Sequence, residues 1–128
     1  MRIGLIGAGA VASFHITAAS VLDGIELTAV CDIDEQAARR ATVGTGVAVF
    51  TDHRRMLQAG LVDAVIVNTP HSLHLPIAED AAAASVHVLV EKPMATSVAD
   101  CDRLIAACRA SGVALTVGHI QHFLPEKR

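Results

Sequence analysis

Six short apolar runs divide the chain, and a polar or glycine-rich turn follows each of them. They lie at residues 3–6, 25–31, 47–50, 62–67, 86–90 and 113–117. Short runs that are apolar almost throughout are typical of strands whose two faces are both buried. We therefore predict six strands, spaced so that a helix can lie between consecutive strands.

Five intervening segments carry helical signals. They span residues 10–22, 34–41, 53–59, 72–84 and 97–110. Asp34, Asp52, Ser72 and Ser97 are polar residues that can cap the first turn of a helix. The alternation of strand and helix predicts an α/β fold, a doubly wound parallel sheet covered by helices on both faces.

The first strand and the first helix are joined by a turn with the pattern G-x-G-x-x-A. Gly7 permits a tight turn, and Gly9 lets the backbone approach a pyrophosphate closely. Ala12 is small enough for the helix to lie against the strand, and the free N–H groups at the helix start attract phosphate. The turn therefore predicts a dinucleotide site. Its intervening members are Ala8, Ala10 and Val11.

Asp32 ends the second predicted strand, 20 residues after Ala12. An acidic residue at this spacing accepts hydrogen bonds from the adenosine ribose of a dinucleotide. A carboxylate there repels a 2′-phosphate, so we expect NAD to be preferred over NADP, with Ile33 beside the ribose. Arg39 and Arg40 could accommodate a phosphate, but we interpret them as part of the solvated face of the next helix.

Three further polar segments follow predicted strands. They are Asn68–His71, Glu91–Pro93 and Gly118–His119. Since the carboxyl ends of parallel strands meet at one edge of the sheet, these segments should join the dinucleotide turn in one cleft. Lys92 stands at a strand end before a proline, which favours a functional lysine over a lysine of a surface turn.

Composition excludes several classes of function. Hydrophobic residues make up 52% of the 128 positions, enough for one domain with its own core. A net charge of −3 and the absence of Trp and Tyr argue against nucleic-acid binding. No apolar stretch is long enough for a membrane span. The three cysteines lack the spacing of a zinc site or disulfide framework, so we expect a cytoplasmic protein with buried, reduced thiols.

The histidines carry alternative interpretations. His71 and His74 are three residues apart and could ligate a metal ion, but no third ligand has a suitable spacing, so we predict no metal site. His15, His53 and His87 are interpreted as structural or exposed. His119 follows the sixth predicted strand, where the sequence favours neither the cleft nor the solvent.

These motifs resemble the N-terminal nucleotide-binding domain of the glucose–fructose oxidoreductase, inositol dehydrogenase and rhizopine catabolism (Gfo/Idh/MocA) family. The resemblance covers essentially the whole chain. It rests on residues 7–12, 31–34, 68–74, 91–95 and 117–119. The combination of Glu91-Lys92-Pro93 with Thr69-Pro70 is its most specific part.

The resemblance implies a Rossmann fold and NAD(P)-dependent oxidation of a secondary alcohol on a sugar, inositol or related polyol. It implies that Lys92 is catalytic and reaches the reacting hydroxyl, and that Glu91 orients Lys92 or contacts the nicotinamide ribose. The Lys92–Pro93 bond becomes a candidate cis peptide bond. The cofactor would be lined by Asn68, Thr69, Pro70 and His71, with His74 supporting that wall.

Family members carry a second, mostly antiparallel domain that supplies further catalytic groups. We assign residues 1–118 to the NAD(P)-binding domain and residues 119–128 to a stub leading toward that second domain, and we expect no turnover by this chain alone. His122 departs from the family pattern, which often has Arg there.

Two other functions stay open. One is a non-catalytic NAD(H)-binding module that regulates or joins a partner chain. The other is a methyltransferase, which leaves Glu91-Lys92-Pro93 unexplained. Self-association through uncovered faces, giving a homo-oligomer, is an open alternative to a single chain.

Overall fold

A computed structural model describes residues 1–120 as one six-stranded sheet flanked by helices. The strands are β1 Arg2–Ile6, β2 Glu26–Cys31, β3 Ala48–Phe50, β4 Ala64–Val67, β5 His87–Val90 and β6 Leu115–Val117. The helices are α1 Ala12–Val21, α2 Glu35–Ala41, α3 His53–Gln58, α4 His74–Ala83 and α5 Val98–Ala110. A short 3₁₀ helix, His71–Leu73, directly precedes α4. The predictions for His122 and for most of the stub lie outside the described residues.

All neighbouring strands run parallel, in the order β3-β2-β1-β4-β5-β6. The predicted doubly wound α/β fold is confirmed, and each predicted element lies within two residues of the observed bounds. The order places the end of β1 between the ends of β2 and β4. The three segments that carry the dinucleotide turn, Asp32 and Asn68 therefore meet at one edge.

Each face of the sheet has its own apolar core. On one face α3, α4 and α5 pack over the sheet, with Met56 and Leu104 completely buried. On the other face α1 and α2 form a smaller cluster around Leu5, Ala12 and Val30. The core is aliphatic, and burial of these side chains from water is the main force that holds helices on the sheet.

The helical cover predicted for both faces is incomplete on the second one. Leu89 is half-buried and Thr116 is exposed there, and they border a shallow apolar cavity of about 280 Å³. The crossovers from β1 to β2 and from β2 to β3 supply the two helices on this face. Among the described residues, these helices do not extend over β5 and β6.

Three of the four predicted helix caps are observed. The carboxylates of Asp34 and Asp52 each accept a hydrogen bond from a backbone N–H at 2.9 Å, and the Ser97 hydroxyl accepts one at 3.1 Å. The prediction that Ser72 caps α4 is wrong. Leu73 is the residue before α4, and the 3₁₀ turn takes up two N–H groups: that of Leu73 donates to the Pro70 carbonyl at 2.9 Å, and that of His74 donates to the His71 carbonyl.

No helix within residues 1–120 combines the length and the apolar character that crossing a membrane requires.

Candidate functional site

The turn after β1 has the geometry that its glycines predict. Gly7 has a φ of +97°, and an added Cβ would stand 2.9 Å from the carbonyl carbon of Asn68 and from the nitrogen of Thr69. An added Cβ on Gly9 would meet nothing within 4 Å. The turn therefore packs tightly on the β4 side at Gly7 and leaves open space at Gly9. Ala12 is 1% exposed, as expected for a small residue that lets α1 lie on the sheet.

Asp32 is joined to this turn by its side chain. One carboxylate oxygen accepts a hydrogen bond from the N–H of Ala8 at 2.7 Å, and the other accepts one from the N–H of Asp34 at 2.8 Å. Two bonds fix the carboxylate at the mouth of the cleft. A carboxylate has about four lone-pair sites, so it can still accept hydrogen bonds from a ligand. Ile33 beside it is almost fully exposed.

The segment after β4 presents polar atoms that have no partner. The side-chain oxygen and nitrogen of Asn68 and the hydroxyl of Thr69 are buried, and none has a hydrogen-bond partner within residues 1–120. Buried polar atoms without partners are rare, because leaving them unsatisfied costs about 1–3 kcal/mol each. Their position beside the glycine turn is the arrangement expected of groups that bind a polar ligand.

His74 links the segments that follow β4 and β5. Its ring is 1% exposed, with Nε2 2.9 Å from the carbonyl oxygen of Thr69. Nδ1 lies 3.1 Å from the carbonyl oxygen of Pro93 and 3.2 Å from that of Met94. His74 therefore supports the wall from behind, and its ring is withdrawn from the cleft surface. His71, at the start of the 3₁₀ helix, is exposed.

The Glu91-Lys92-Pro93 segment follows β5, and the Lys92–Pro93 peptide bond is cis as predicted. Lys92 is exposed, and its ammonium takes part in none of the ion pairs within residues 1–120. The backbone N–H of Lys92 makes a long hydrogen bond of 3.3 Å to Oε2 of Glu91. The lysine ammonium is thus available to a ligand at the strand end.

Glu91 has a partner that the sequence interpretation missed. Nε2 of His15, on α1, lies 2.8 Å from Oε1 of Glu91, and the two side chains are 21% and 17% exposed. Gly118, at the end of β6, lies on the other side of the carboxylate. His15 lies one turn after Ala12 on α1, but the sequence alone carries no signal that would have paired it with Glu91.

One cavity of about 500 Å³ collects many of the predicted residues. Those that line it are Gly7, Gly9, Asp32, Ile33, Asn68, Thr69 and Pro70. Ala8 and Ala10 line a separate cavity of about 470 Å³ between α1 and α2. Val11, His71, His74, the Glu91-Lys92-Pro93 segment and the exposed His119 lie outside the lining of the larger cavity.

The far end of this cavity carries an ionic cluster that the sequence did not predict. Asp80 on α4 lies 2.8 Å from Nε2 of His53 and accepts a hydrogen bond from Nε of Arg54 at 2.8 Å. Partial burial works against ionisation of Asp80, but the hydrogen bonds from Arg54 and His53 outweigh it and lower the pKa of the carboxyl. His53 and Arg54 follow β3, whose end lies at the same sheet edge as that of β2.

Cys31 forms part of the lining of this cavity, and its thiol is buried. Burial, together with the charges of Asp32 and Asp52, raises the pKa of its thiol to about 12. The raised pKa keeps the thiol protonated at neutral pH, which makes it a poor nucleophile. Within residues 1–120, no group of three His, Cys, Asp or Glu side chains is placed to hold a metal ion.

The residues at this edge fit a dinucleotide. The open space at Gly9 can admit a pyrophosphate, the carboxylate of Asp32 can accept hydrogen bonds, and the unpartnered atoms of Asn68 and Thr69 can pair with polar groups. The cavity is large enough for part of such a ligand.

Comparisons with known proteins agree with this geometry. The model of a family described as an oxidoreductase family with an NAD-binding Rossmann fold (GFO_IDH_MocA) matches residues 1–119. Inositol 2-dehydrogenase 4 of Saccharopolyspora erythraea is 37% identical in an alignment that covers 98% of this chain and 38% of that protein.

Two solved structures are similar along most of the chain. The WlbA dehydrogenase from Bordetella pertussis, in complex with NADH and UDP-GlcNAcA, has a TM-score of 0.87 and 39% identity, over 91% of this chain and 36% of that one. A 3-ketoreductase from Actinomadura kijaniata, in complex with TDP-benzene and NADP, has a TM-score of 0.87 and 31% identity, over 96% of this chain and 40% of that one. The chain thus spans 36–40% of the length of these relatives.

Proposed function

Because the chain belongs to the Gfo/Idh/MocA family of oxidoreductases, we propose that it is the cofactor-binding part of a dehydrogenase that acts on a secondary alcohol of a sugar, inositol or sugar derivative. This family membership confirms the resemblance that the sequence motifs indicated. The observation that carries the proposal is the convergence of the glycine turn and Asp32 with the unpartnered Asn68 and Thr69 around one cavity, next to Glu91-Lys92-Pro93.

Binding of the cofactor would use groups along the whole sheet edge. The N–H groups of Gly9 and Ala10 and the positive end of α1 would hold the pyrophosphate, because the N–H groups of Gly7 and Ala8 already donate to the Cys31 carbonyl and to Asp32. Asp32 would accept hydrogen bonds from the adenosine ribose, while Asn68 and Thr69 would gain the partners that they lack. The nicotinamide would extend from there toward Lys92.

Lys92 is the residue that we propose to be catalytic. The bound nicotinamide supplies the capacity to accept or release a hydride. In the direction of ketone reduction, the ammonium of Lys92, exposed at the strand end, would stabilise the negative charge that develops on the carbonyl oxygen and donate a proton from Nζ to it. In the direction of alcohol oxidation, Nζ of the Lys92 amine would accept that proton from the hydroxyl. Glu91 and Pro93 would set the direction in which Lys92 leaves the strand.

We propose that NAD is preferred over NADP, although both cofactors occur in solved relatives. The fixed carboxylate of Asp32 would repel a 2′-phosphate. Two guanidinium groups nearby are already engaged, since Arg39 donates a hydrogen bond to Glu35 at 2.9 Å and Arg40 lies 3.7 Å from Asp34. Both carboxylates reduce the positive charge that a phosphate would require.

Calorimetric titration with NADH and NADPH tests the binding proposal. We expect NADH to bind more tightly than NADPH, and Asp32→Ala to weaken NADH by about tenfold to a hundredfold, as loss of hydrogen bonds to a charged group predicts. Glu26→Ala is the matched control, because it removes an exposed negative charge from the opposite end of β2 and leaves Asp32 and its neighbours in place. Failure of the wild-type chain to bind either cofactor would contradict the proposal.

Turnover is a separate part of the proposal. We propose that residues 1–128 bind the cofactor without oxidising a polyol, because they span only 36–40% of the length of the relatives that they resemble. Incubation with NAD and a panel of inositols and sugars should release no NADH, and steady turnover would overturn this part. We also propose a cytoplasmic location, which the three free cysteines favour.

A further inference from the structure

We propose that His15 is a positioning residue for the Glu91-Lys92-Pro93 segment, an inference that rests on the proposed function. The contact joins α1, the helix that follows the dinucleotide turn, to the end of β5. It therefore connects the part of the site assigned to the pyrophosphate with the part assigned to the nicotinamide. Neither His15 nor Glu91 is among the residues that line the two cavities described above.

The carboxylate of Glu91 is held from three sides. Nε2 of His15 lies 2.8 Å from Oε1, and the N–H of Lys92 makes the weak 3.3 Å contact to Oε2. A methyl group on Gly118 would stand 3.0 Å from both carboxylate oxygens, so the carboxylate would have to shift by a few tenths of an ångström to admit it. Among these neighbours within residues 1–120, His15 makes the single short hydrogen bond.

Because the Glu91 carboxylate is enclosed in this way, the orientation of Glu91 and Lys92 depends on His15. Glu91 is 17% exposed, so without His15 its carboxylate would lose its short hydrogen bond in a place where little water can replace it. The side chain would then turn toward solvent and release the backbone contact at Lys92. A ligand group at the nicotinamide end would meet a less ordered Glu91 and Lys92, whereas groups bound at Asp32 would be unaffected.

Comparison of two ligands separates positioning from simple packing. ADP-ribose carries the adenosine and pyrophosphate but lacks the nicotinamide, so it reports on the Asp32 end alone. We expect His15→Ala to weaken NADH binding by about threefold to tenfold and to change ADP-ribose binding by less than about twofold. His15→Gln, which keeps an N–H donor of similar reach, should restore most of the NADH affinity.

Two further variants complete the test. Gly118→Ala displaces the Glu91 carboxylate from the other side without touching α1, and it should also weaken NADH more than ADP-ribose. His87→Ala is the matched control, because His87 lies at the opposite end of β5, where its Nδ1 accepts a hydrogen bond from the N–H of Ala114. It should leave both affinities unchanged.

The outcomes distinguish this inference from the proposed function. A His15→Ala chain that binds NADH with the wild-type affinity, or that loses affinity for NADH and ADP-ribose equally, would overturn the inference and leave the proposed function intact. A wild-type chain that binds ADP-ribose as tightly as NADH would also overturn the inference and leave the proposed function intact. A wild-type chain that binds neither ligand would overturn both.

Discussion

Gly7→Ala should destabilise the fold by about 3 kcal/mol, because the turn after β1 tolerates no side chain there. A residue with a Cβ at φ +97° carries a strain of about 1–3 kcal/mol. The new Cβ would stand 2.9 Å from backbone atoms of Asn68 and Thr69, which cannot rotate away, and such overpacking costs about 1–3 kcal/mol. The reduced entropy of the unfolded chain offsets about 0.4–1 kcal/mol of this.

Thermal unfolding followed by circular dichroism measures this loss. For a chain of this length, about 1 kcal/mol lowers Tm by roughly 3–5 °C, so Gly7→Ala should unfold about 10 °C below the wild type. Gly9→Ala is the matched control, because it adds the same methyl group two residues away in open space. Its Tm should be unchanged, whereas its affinity for NADH should fall because the methyl group occupies the proposed pyrophosphate site.

Two results would refute this reasoning. A Gly7→Ala chain with a Tm within about 2 °C of the wild type would show that the turn can relax around a Cβ. A Gly9→Ala chain that lost stability to the same extent would show that the turn, rather than the close approach at Gly7, responds to any methyl group.

Three other predictions concern stability and thiol reactivity. The hydrogen bonds from Arg2 lower the pKa of Asp63 from 3.8 to about 2. The stabilisation that they give is therefore present above about pH 4 and lost as the pH falls through 2. In urea unfolding, the free energies of unfolding of Asp63→Asn and wild type should differ at neutral pH and converge near pH 2. Ser97→Ala removes the cap of α5 and should lower the free energy of unfolding by about 1 kcal/mol in the same assay, and an unchanged midpoint would contradict the capping role. Because burial raises the pKa of Cys31 to about 12, iodoacetamide should alkylate the partly exposed Cys101 first, and mass spectrometry showing Cys31 modified before it would be the opposite result.

The elements and the dinucleotide turn were predictable because their signals are local. Gly7, Gly9 and Ala12 lie within six residues, and the backbone conformation or the available space at each position requires a small residue there. Asp32 could be placed because a single strand–helix–strand unit fixes the distance between two neighbouring strand ends. The cis peptide bond before Pro93 was instead predicted from the resemblance to the family.

The side-chain pairs across the sheet edge were not predictable in the same way. His15 and Glu91 are 76 residues apart, and their contact depends on which strand α1 crosses and on the rotation of that helix about its axis. The apolar pattern of α1 leaves this rotation undefined, because apolar residues occur all around it and only Ala12 is buried. Asp80 similarly meets His53 only because α3 and α4 lie side by side.

The strand order also sets the timing of folding during synthesis. β1 pairs with β4 as well as with β2, and Ile3 lies opposite Ala64, about 60 residues later in the chain. At about 5–20 residues per second, the ribosome needs roughly 3–12 s to deliver β4 after β1. During this interval one side of β1 exposes unpaired N–H and C=O groups to any other extended chain. Among the strands within residues 1–120, β1 is thus the one that waits longest for its second neighbour.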